Sequence, residues 1–326
     1  MFRKLLVPLD RSPLAEQALG LASAIARASH AAIDLVLVHE PLPFAGFGDA
    51  PWYAEQIDDE HQYLASIAAE VASGASVTTT HAVMRGGTVD MICRRARDDD
   101  ADLIVMTSHG RTGLSRAWLG SVADGVLRQS AVPVLLLRPL EGKSRRDSTQ
   151  HLLKRLLVPL DGSALAADIL QSVSSLARCD KARITLLRVV QPVPAIAFDV
   201  GMSFLYPPPI QDDAATDRLV NEAKDETAEV ARRLRGERGL EVDAHVVVAP
   251  HVAQAIIDFA YDHAADAIAM STHGRGASRL VFGSVADKVI RGSNLPMLLH
   301  RPIGIADPDA RTETHVWMER PALTHA

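Results

Sequence analysis

Short runs of consecutive apolar residues alternate along this chain with longer stretches whose apolar positions recur every three to four residues. In the first half the runs are Leu5–Leu9, Ile33–His39, Ser76–Val83, Leu103–Thr107 and Val132–Arg138, and each reads as a β-strand. The first helical stretch opens at Ser12-Pro13, a side-chain cap followed by a residue with no amide to satisfy. Its stripe is Leu14, Ala18, Leu21, Ala22 and Ile25, and further helices are expected near Glu55–Val71, Val89–Arg97 and Ser121–Arg128. Runs such as Leu35-Val36-Leu37-Val38 do not alternate with polar residues. That continuity suits a parallel sheet covered by helices on both faces.

The second half repeats the pattern. Lys4-Leu5-Leu6-Val7-Pro8-Leu9-Asp10 recurs as Arg155-Leu156-Leu157-Val158-Pro159-Leu160-Asp161, and Ser108-His109-Gly110-Arg111 as Thr272-His273-Gly274-Arg275. Gly120-Ser121-Val122-Ala123-Asp124 returns unchanged as Gly283-Ser284-Val285-Ala286-Asp287. Anchors that keep their order and nearly their spacing mark a duplication. The second set of strands is Leu156–Leu160, Arg183–Val190, Glu241–Val248, Ala267–Ser271 and Pro296–His300. The fold class expected is therefore α/β: two tandem open parallel-sheet domains of five strands each, in the order 3-2-1-4-5. The domains are placed at 1–140 and 153–302, with a polar linker at 141–152 and a tail at 303–326. Residues Gln191–Asp213, rich in proline and apolar side chains, fall outside the repeat as a lid or an interface cover.

Composition narrows the partners. A chain of 326 residues with 48% hydrophobic residues can fill two cores of ordinary size. A net charge of −6 disfavours a nucleic-acid-binding surface, and no run of eighteen apolar residues offers a membrane span. Met1–Val7 reads directly into a strand rather than a secretion signal, and Cys93 and Cys179 lie one in each half, so a reducing cytoplasm is expected.

The candidate chemistry sits in the loop after strand four, from Thr107 through Gly110 and Arg111 to Gly120-Ser121. In open parallel sheets ligands collect beyond the carboxyl ends of the strands, where glycines let the backbone approach them. The helix opened by Gly120-Ser121 exposes amides suited to an anion, with Ser121 to donate and Arg111 or Arg116 to neutralise charge. Equally, Ser121 could only cap its helix. Asp10 and Asp161, just after the first strand of each half, either contact a bound polar group or satisfy amides of their own turn. His109 and His273 each follow a hydroxyl residue, but adjacent side chains are expected to diverge and no triad or metal set is evident. A Walker-type phosphate loop is absent, so any ATP hydrolysis is expected to be slow.

On these residues the chain resembles a tandem member of the universal stress protein family over nearly its whole length, roughly Met1–Leu140 and His151–Pro302. Nucleotide-binding members carry glycine, two residues, glycine, nine residues, then glycine followed by serine or threonine. The first half sets Thr107, Gly110, Gly120 and Ser121 on those positions; the second sets Ser271, Gly274, Gly283 and Ser284 there, with eight intervening residues rather than nine. The resemblance implies ATP or a related adenine nucleotide, with or without Mg2+. It would put Asp10 and Val38 at the base, and Gly110, Gly120, Ser121 and Val122 at ribose and phosphates. The second set is Asp161, Val189, Gly274, Gly283, Ser284 and Val285. Thr107 and Ser271 depart from the family's first glycine, and Pro250 stands where Gly86 matches a further one. The first half is accordingly expected to be the better site. The resemblance further implies that the two halves pair through their last strands, leaving room for a homodimer and an unknown protein partner. Three readings remain: a nucleotide-responsive stress protein, a structural or interaction module without ligand, and a slow hydrolase.

Overall fold

The computed structural model describes residues 1–40, 51–109, 119–139, 153–194, 211–236, 239–273 and 282–302. In the first half, strands β1 (Lys4–Leu9), β2 (Ala32–His39), β3 (Thr79–Arg85), β4 (Leu103–Thr107) and β5 (Val134–Leu137) alternate with helices. These are α1 (Pro13–Glu16), α2 (Ala18–Ser29), α3 (Pro51–Ala75), α4 (Thr88–Asp98) and α5 (Ser121–Gln129). The second half supplies β6 (Arg155–Pro159), β7 (Arg183–Val190), β8 (Glu241–Val248), β9 (Ala267–Ser271) and β10 (Met297–His300). Its helices are α6 (Ala164–Ala167), α7 (Leu170–Asp180), α8 (Asp213–Gly236), α9 (Val252–Asp262) and α10 (Ser284–Gly292).

All ten strands form one sheet, ordered β3-β2-β1-β4-β5-β10-β9-β6-β7-β8. Each half is parallel with the expected order 3-2-1-4-5, and the halves join antiparallel where Met297, Leu298 and Leu299 face Leu136, Leu135 and Val134. Edge pairing of these two apolar strands covers backbone groups that either half alone would leave open. One core layer unites Leu5, Val7, Leu35, Leu156, Val158 and Leu186 with α2, α3, α7 and α8; the other unites Leu6, Ile104, Leu157 and Ile268 with α4, α5, α9 and α10. Neighbouring strand residues thus divide between the two faces, as the unbroken apolar runs require.

Several boundaries differ from expectation for local reasons. The third strand begins at Thr79 rather than Ser76, because Ser76 turns with φ 51°. The fifth begins at Val134, since Val132 is tied back to Ser130, whose Oγ donates to its carbonyl at 2.8 Å. The helix expected from Ser12 is capped as read, the Ala15 amide donating to Ser12 Oγ at 3.1 Å, but it breaks at Gln17 into α1 and α2. By register Gly86 matches Ala249, not Pro250. Their amides donate to equivalent second-strand carbonyls, His39 and Val190, and Pro250 belongs to a connection one residue longer. Of the Gln191–Asp213 segment, the base is described: Pro194 and Gln211 form an antiparallel bridge. The linker and tail readings fall outside the described residues.

Candidate functional site

In each half the first strand runs beside the fourth for two residues and then parts from it. β1 pairs β4 at Leu5 and Leu6, and β6 pairs β9 at Leu156 and Leu157. A proline fits just beyond. The Leu160 amide donates toward β7 at 2.9 Å, so by strand alternation the preceding nitrogen, on Pro159, faces the side where pairing has ended. The parting opens a crevice at the carboxyl ends of the strands, where the connections lead off in opposite directions along the sheet.

In the second half this crevice is a cleft of about 730 Å³, measured to its open mouth. Of the residues expected there, Asp161, Val189, Ser271, Gly283, Ser284 and Val285 line it together. His273, noted from sequence beside its hydroxyl neighbour, also lines it, as do Leu160, Leu187, Ile256 and Met270, which were not singled out. Their signal was weak: each is an apolar or loop residue like many others, and only strand ends brought side by side distinguish them. In the first half Asp10, Val38, Thr107, Gly120, Ser121 and Val122 occupy the matching positions at the ends of β1, β2 and β4 and the start of α5. Gly110, Arg111 and Gly274 lie outside the described residues. The stretches in which the two loops differ in length, 110–118 and 274–281, lie outside the described residues.

The carboxylates at the crevice serve their own turns. The Ser12 amide donates to Asp10 Oδ1 at 3.0 Å; in the second half the Ser163 amide and hydroxyl donate to Asp161 Oδ1 at 2.9 and 2.6 Å. The helix-start serines do not cap. Gly120 and Gly283 are the capping residues of α5 and α10, and Ser121 and Ser284 stand exposed in their first turns. Gly120 and Gly283 donate their amides to the carbonyls of Ser108 and Thr272, at 2.9 and 2.8 Å, which draws each helix start against the end of the fourth strand. The hydroxyls that replace the family glycine are engaged by protein: Thr107 Oγ1 donates to the His109 carbonyl at 2.9 Å, and Ser271 Oγ to the Ala166 carbonyl at 3.4 Å.

One expectation is corrected. The neighbouring hydroxyl and imidazole do not diverge: Ser108 Oγ lies 3.0 Å from His109 Nδ1, and Thr272 Oγ1 lies 3.0 Å from His273 Nδ1. The chain leaves the sheet at this point, so the strict side-to-side alternation of a strand no longer holds. Ser108 and Thr272 are 0% and 1% exposed, and each hydroxyl lies against its neighbouring imidazole. Burial, reinforced by the Asp90 charge, pushes the Cys93 thiol up to about 11, and the thiolate is the reactive form. Among the described residues no group of three or more His, Cys, Asp or Glu side chains is arranged to hold a metal ion. No described helix is long and apolar enough to cross a membrane.

The chain is similar to known proteins along its whole repeat. A family model described as "Universal stress protein family" matches residues 1–138 and again 153–301. A universal stress protein of Methanocaldococcus jannaschii is 30% identical over 141 residues, 42% of this chain and 83% of its own length. Another, of Thermus aquaticus, is 30% identical over 139 residues, 42% of this chain and all of its own length. The solved structure of a universal stress protein from Archaeoglobus fulgidus superposes with a TM-score of 0.64 at 21% identity, covering 91% of this chain and 98% of that one; this likeness shows the fold. With the duplicated sheet, the twice-matched family model and these relatives in agreement, the chain belongs to the universal stress protein family, in its tandem two-domain form.

Proposed function

We propose that this chain is a stress-response protein that binds ATP or a related adenine nucleotide as a regulatory ligand, at the parted strands of each half. The observation that carries the reading is the second-half cleft, where Asp161, Val189, Gly283, Ser284 and Val285 meet. Its walls fit the chemistry of such a ligand. Leu187, Val189, Ile256 and Met270 give an apolar slot for a base, while Asp161 and Ser284 offer polar partners for a sugar and phosphate. Asp10, Val38, Thr107, Gly110, Arg111, Gly120, Ser121 and Val122 would do the same in the first half, and Gly274 would complete the second. Mg2+, where present, would arrive with the phosphates. Hydrolysis would be slow, because the sequence carries no Walker-type phosphate loop. Domains at 1–140 and 153–302, a cytoplasmic setting, an unidentified protein partner and a homodimer belong to the same proposal.

The scaffold reading has one observation in its favour, the use of Asp10 and Asp161 as turn acceptors. Calorimetric titration of nucleotide-stripped protein with ATP decides between them. Binding is expected, with an accompanying rise in Tm. Asp161→Ala with Ser284→Ala should remove one class of site, and Asp10→Ala with Ser121→Ala the other. Absence of both heat and thermal shift at millimolar ATP would favour the scaffold.

A further inference from the structure

A second groove, of about 1,040 Å³ measured to its open mouth, lies beside the cleft in the second half, and the two share Val252, Ser284 and Val285. Its polar lining is Gln191, His251, Gln254, Ser284 and Lys288, with no carboxylate among the described residues that line it. Asp258, held by Gln254 Nε2 at 2.7 Å, stands a turn further along α9 and outside the lining.

The first half has the opposite charge at the same place. Equivalent amide bonds to the His39 and Val190 carbonyls set Glu40 against Gln191. The matched ends of α4 and α9 set Asp90 against Gln254, and the paired caps Gly120 and Gly283 set Gly125 against Lys288. Two carboxylates have become carboxamides and a glycine has become a lysine. Glu40 Oε1 accepts from the Thr88 amide at 3.2 Å and the Thr88 hydroxyl at 2.5 Å, which lays a negative charge over the start of α4. In the second half Gln191 Nε2 instead donates to the Pro250 carbonyl at 3.0 Å, and the α9 cap, His251, makes no side-chain capping bond.

We infer that this groove receives the phosphate end of a nucleoside polyphosphate whose nucleoside lies in the adjoining cleft, while Glu40 and Asp90 make the first half discriminate against that anionic end. The inference rests on the nucleotide reading above and divides the two sites by ligand charge. A lysine beside several phosphate charges attracts them, and two carboxylates in place of the carboxamides repel them. Because Lys288 is exposed, the preference weakens as salt rises.

The test titrates the full chain, its Lys288→Glu variant and its Glu40→Gln/Asp90→Asn variant with adenosine, ATP and inorganic tripolyphosphate, after circular dichroism has confirmed folding. In the parent, ATP should bind one class of site more tightly than the other. Lys288→Glu should weaken ATP at the tighter class by about tenfold and leave adenosine unchanged. Glu40→Gln/Asp90→Asn should strengthen ATP at the weaker class. ATP and adenosine binding that keep their ratio in both variants would overturn the groove and leave the nucleotide reading standing. If neither nucleoside ligand binds, the nucleotide reading fails, and tripolyphosphate judges the groove alone: binding lost in Lys288→Glu upholds an anion groove, and binding absent or unchanged overturns it.

Discussion

At the scale of single residues, the two glycines that open α5 and α10 show how one motif position carries two demands. Neither needs unusual backbone freedom, with φ of −63° and −60°. Each is needed for closeness. A Cβ at Gly120 would stand 2.8 Å from the Ser108 carbonyl oxygen, and one at Gly283 would stand 3.3 Å from that of Thr272. Gly120→Ala should therefore lower stability by about 1–3 kcal/mol through overpacking, and Gly283→Ala by less, as read from urea denaturation. Equal losses at the two positions would sink this account. The motif stood out in sequence as a candidate ligand loop, yet its packing role did not, since nothing local tells how near Ser108 comes to Gly120. The same blindness hid the pairing of Ser108 with His109, which depends on side-chain rotamers after the strand has ended.

Between elements, the sharpest difference between the halves lies where the second strand meets α4 or α9. On β2, Asp34 is fully buried and accepts from Arg95 Nε of α4 at 2.8 Å and from Thr80 Oγ1 of β3 at 2.7 Å; Arg95 Nε also lies 2.7 Å from Asp99. By register the second half puts Thr185 at the place of Asp34 and Phe259 at that of Arg95, with Phe259 stacked on His263 at 3.7 Å between ring centres. Burial alone would raise the Asp34 carboxyl, but the hydrogen bonds from Arg95 and Thr80, with the charges of Arg95 and Lys4, outweigh it and hold the group below the ordinary carboxylate value. A folded-state pKa below the unfolded one gives stability that is complete above about pH 4 and lost as pH falls through the folded value. Asp34→Asn should cost about 3 kcal/mol near neutrality and flatten the decline of Tm below pH 4. A variant as acid-sensitive as the parent would refute the assignment. The strands that carry these residues were evident from their apolar runs. That Asp34 would meet a residue 61 positions away was not, because an acid inside an apolar run carries no label for its partner.

For the whole molecule, the joint between the halves is built from more than β5 and β10. Arg138, just past β5, donates through Nη2 to the Ile290 carbonyl on α10, and Arg301, just past β10, donates through Nη1 to the Arg128 carbonyl on α5. The Arg128 guanidinium also lies 5.6 Å from the centre of the Phe282 ring. Each half thus reaches across to the helix of the other. Removing both clamps with Arg138→Ala/Arg301→Ala should lower Tm by several degrees, with a cost of about 2–4 kcal/mol for two charge-assisted bonds. A Tm unchanged in differential scanning calorimetry would mean that the strand pair alone holds the joint.

The sequence by itself determined that there are two similar α/β units, because unbroken apolar runs and helical stripes are local patterns that constrain each element directly. Resemblance to the family, rather than any contact, is what grouped Asp161, Val189, Gly283, Ser284 and Val285 as candidates for one site. Only the tertiary structure decided what surrounds them. The parting of β6 from β9 makes the cleft, and the register of α9 and α10 turns Gln191, Gln254 and Lys288 into one groove beside it. Loop length points to the first half, whereas the groove in the second half, with Lys288 and no carboxylate in its lining, is what carries the anion proposal. The reason is physical: an element forms from the spacing of its own residues, whereas a site forms from the distances between elements, which no local pattern specifies.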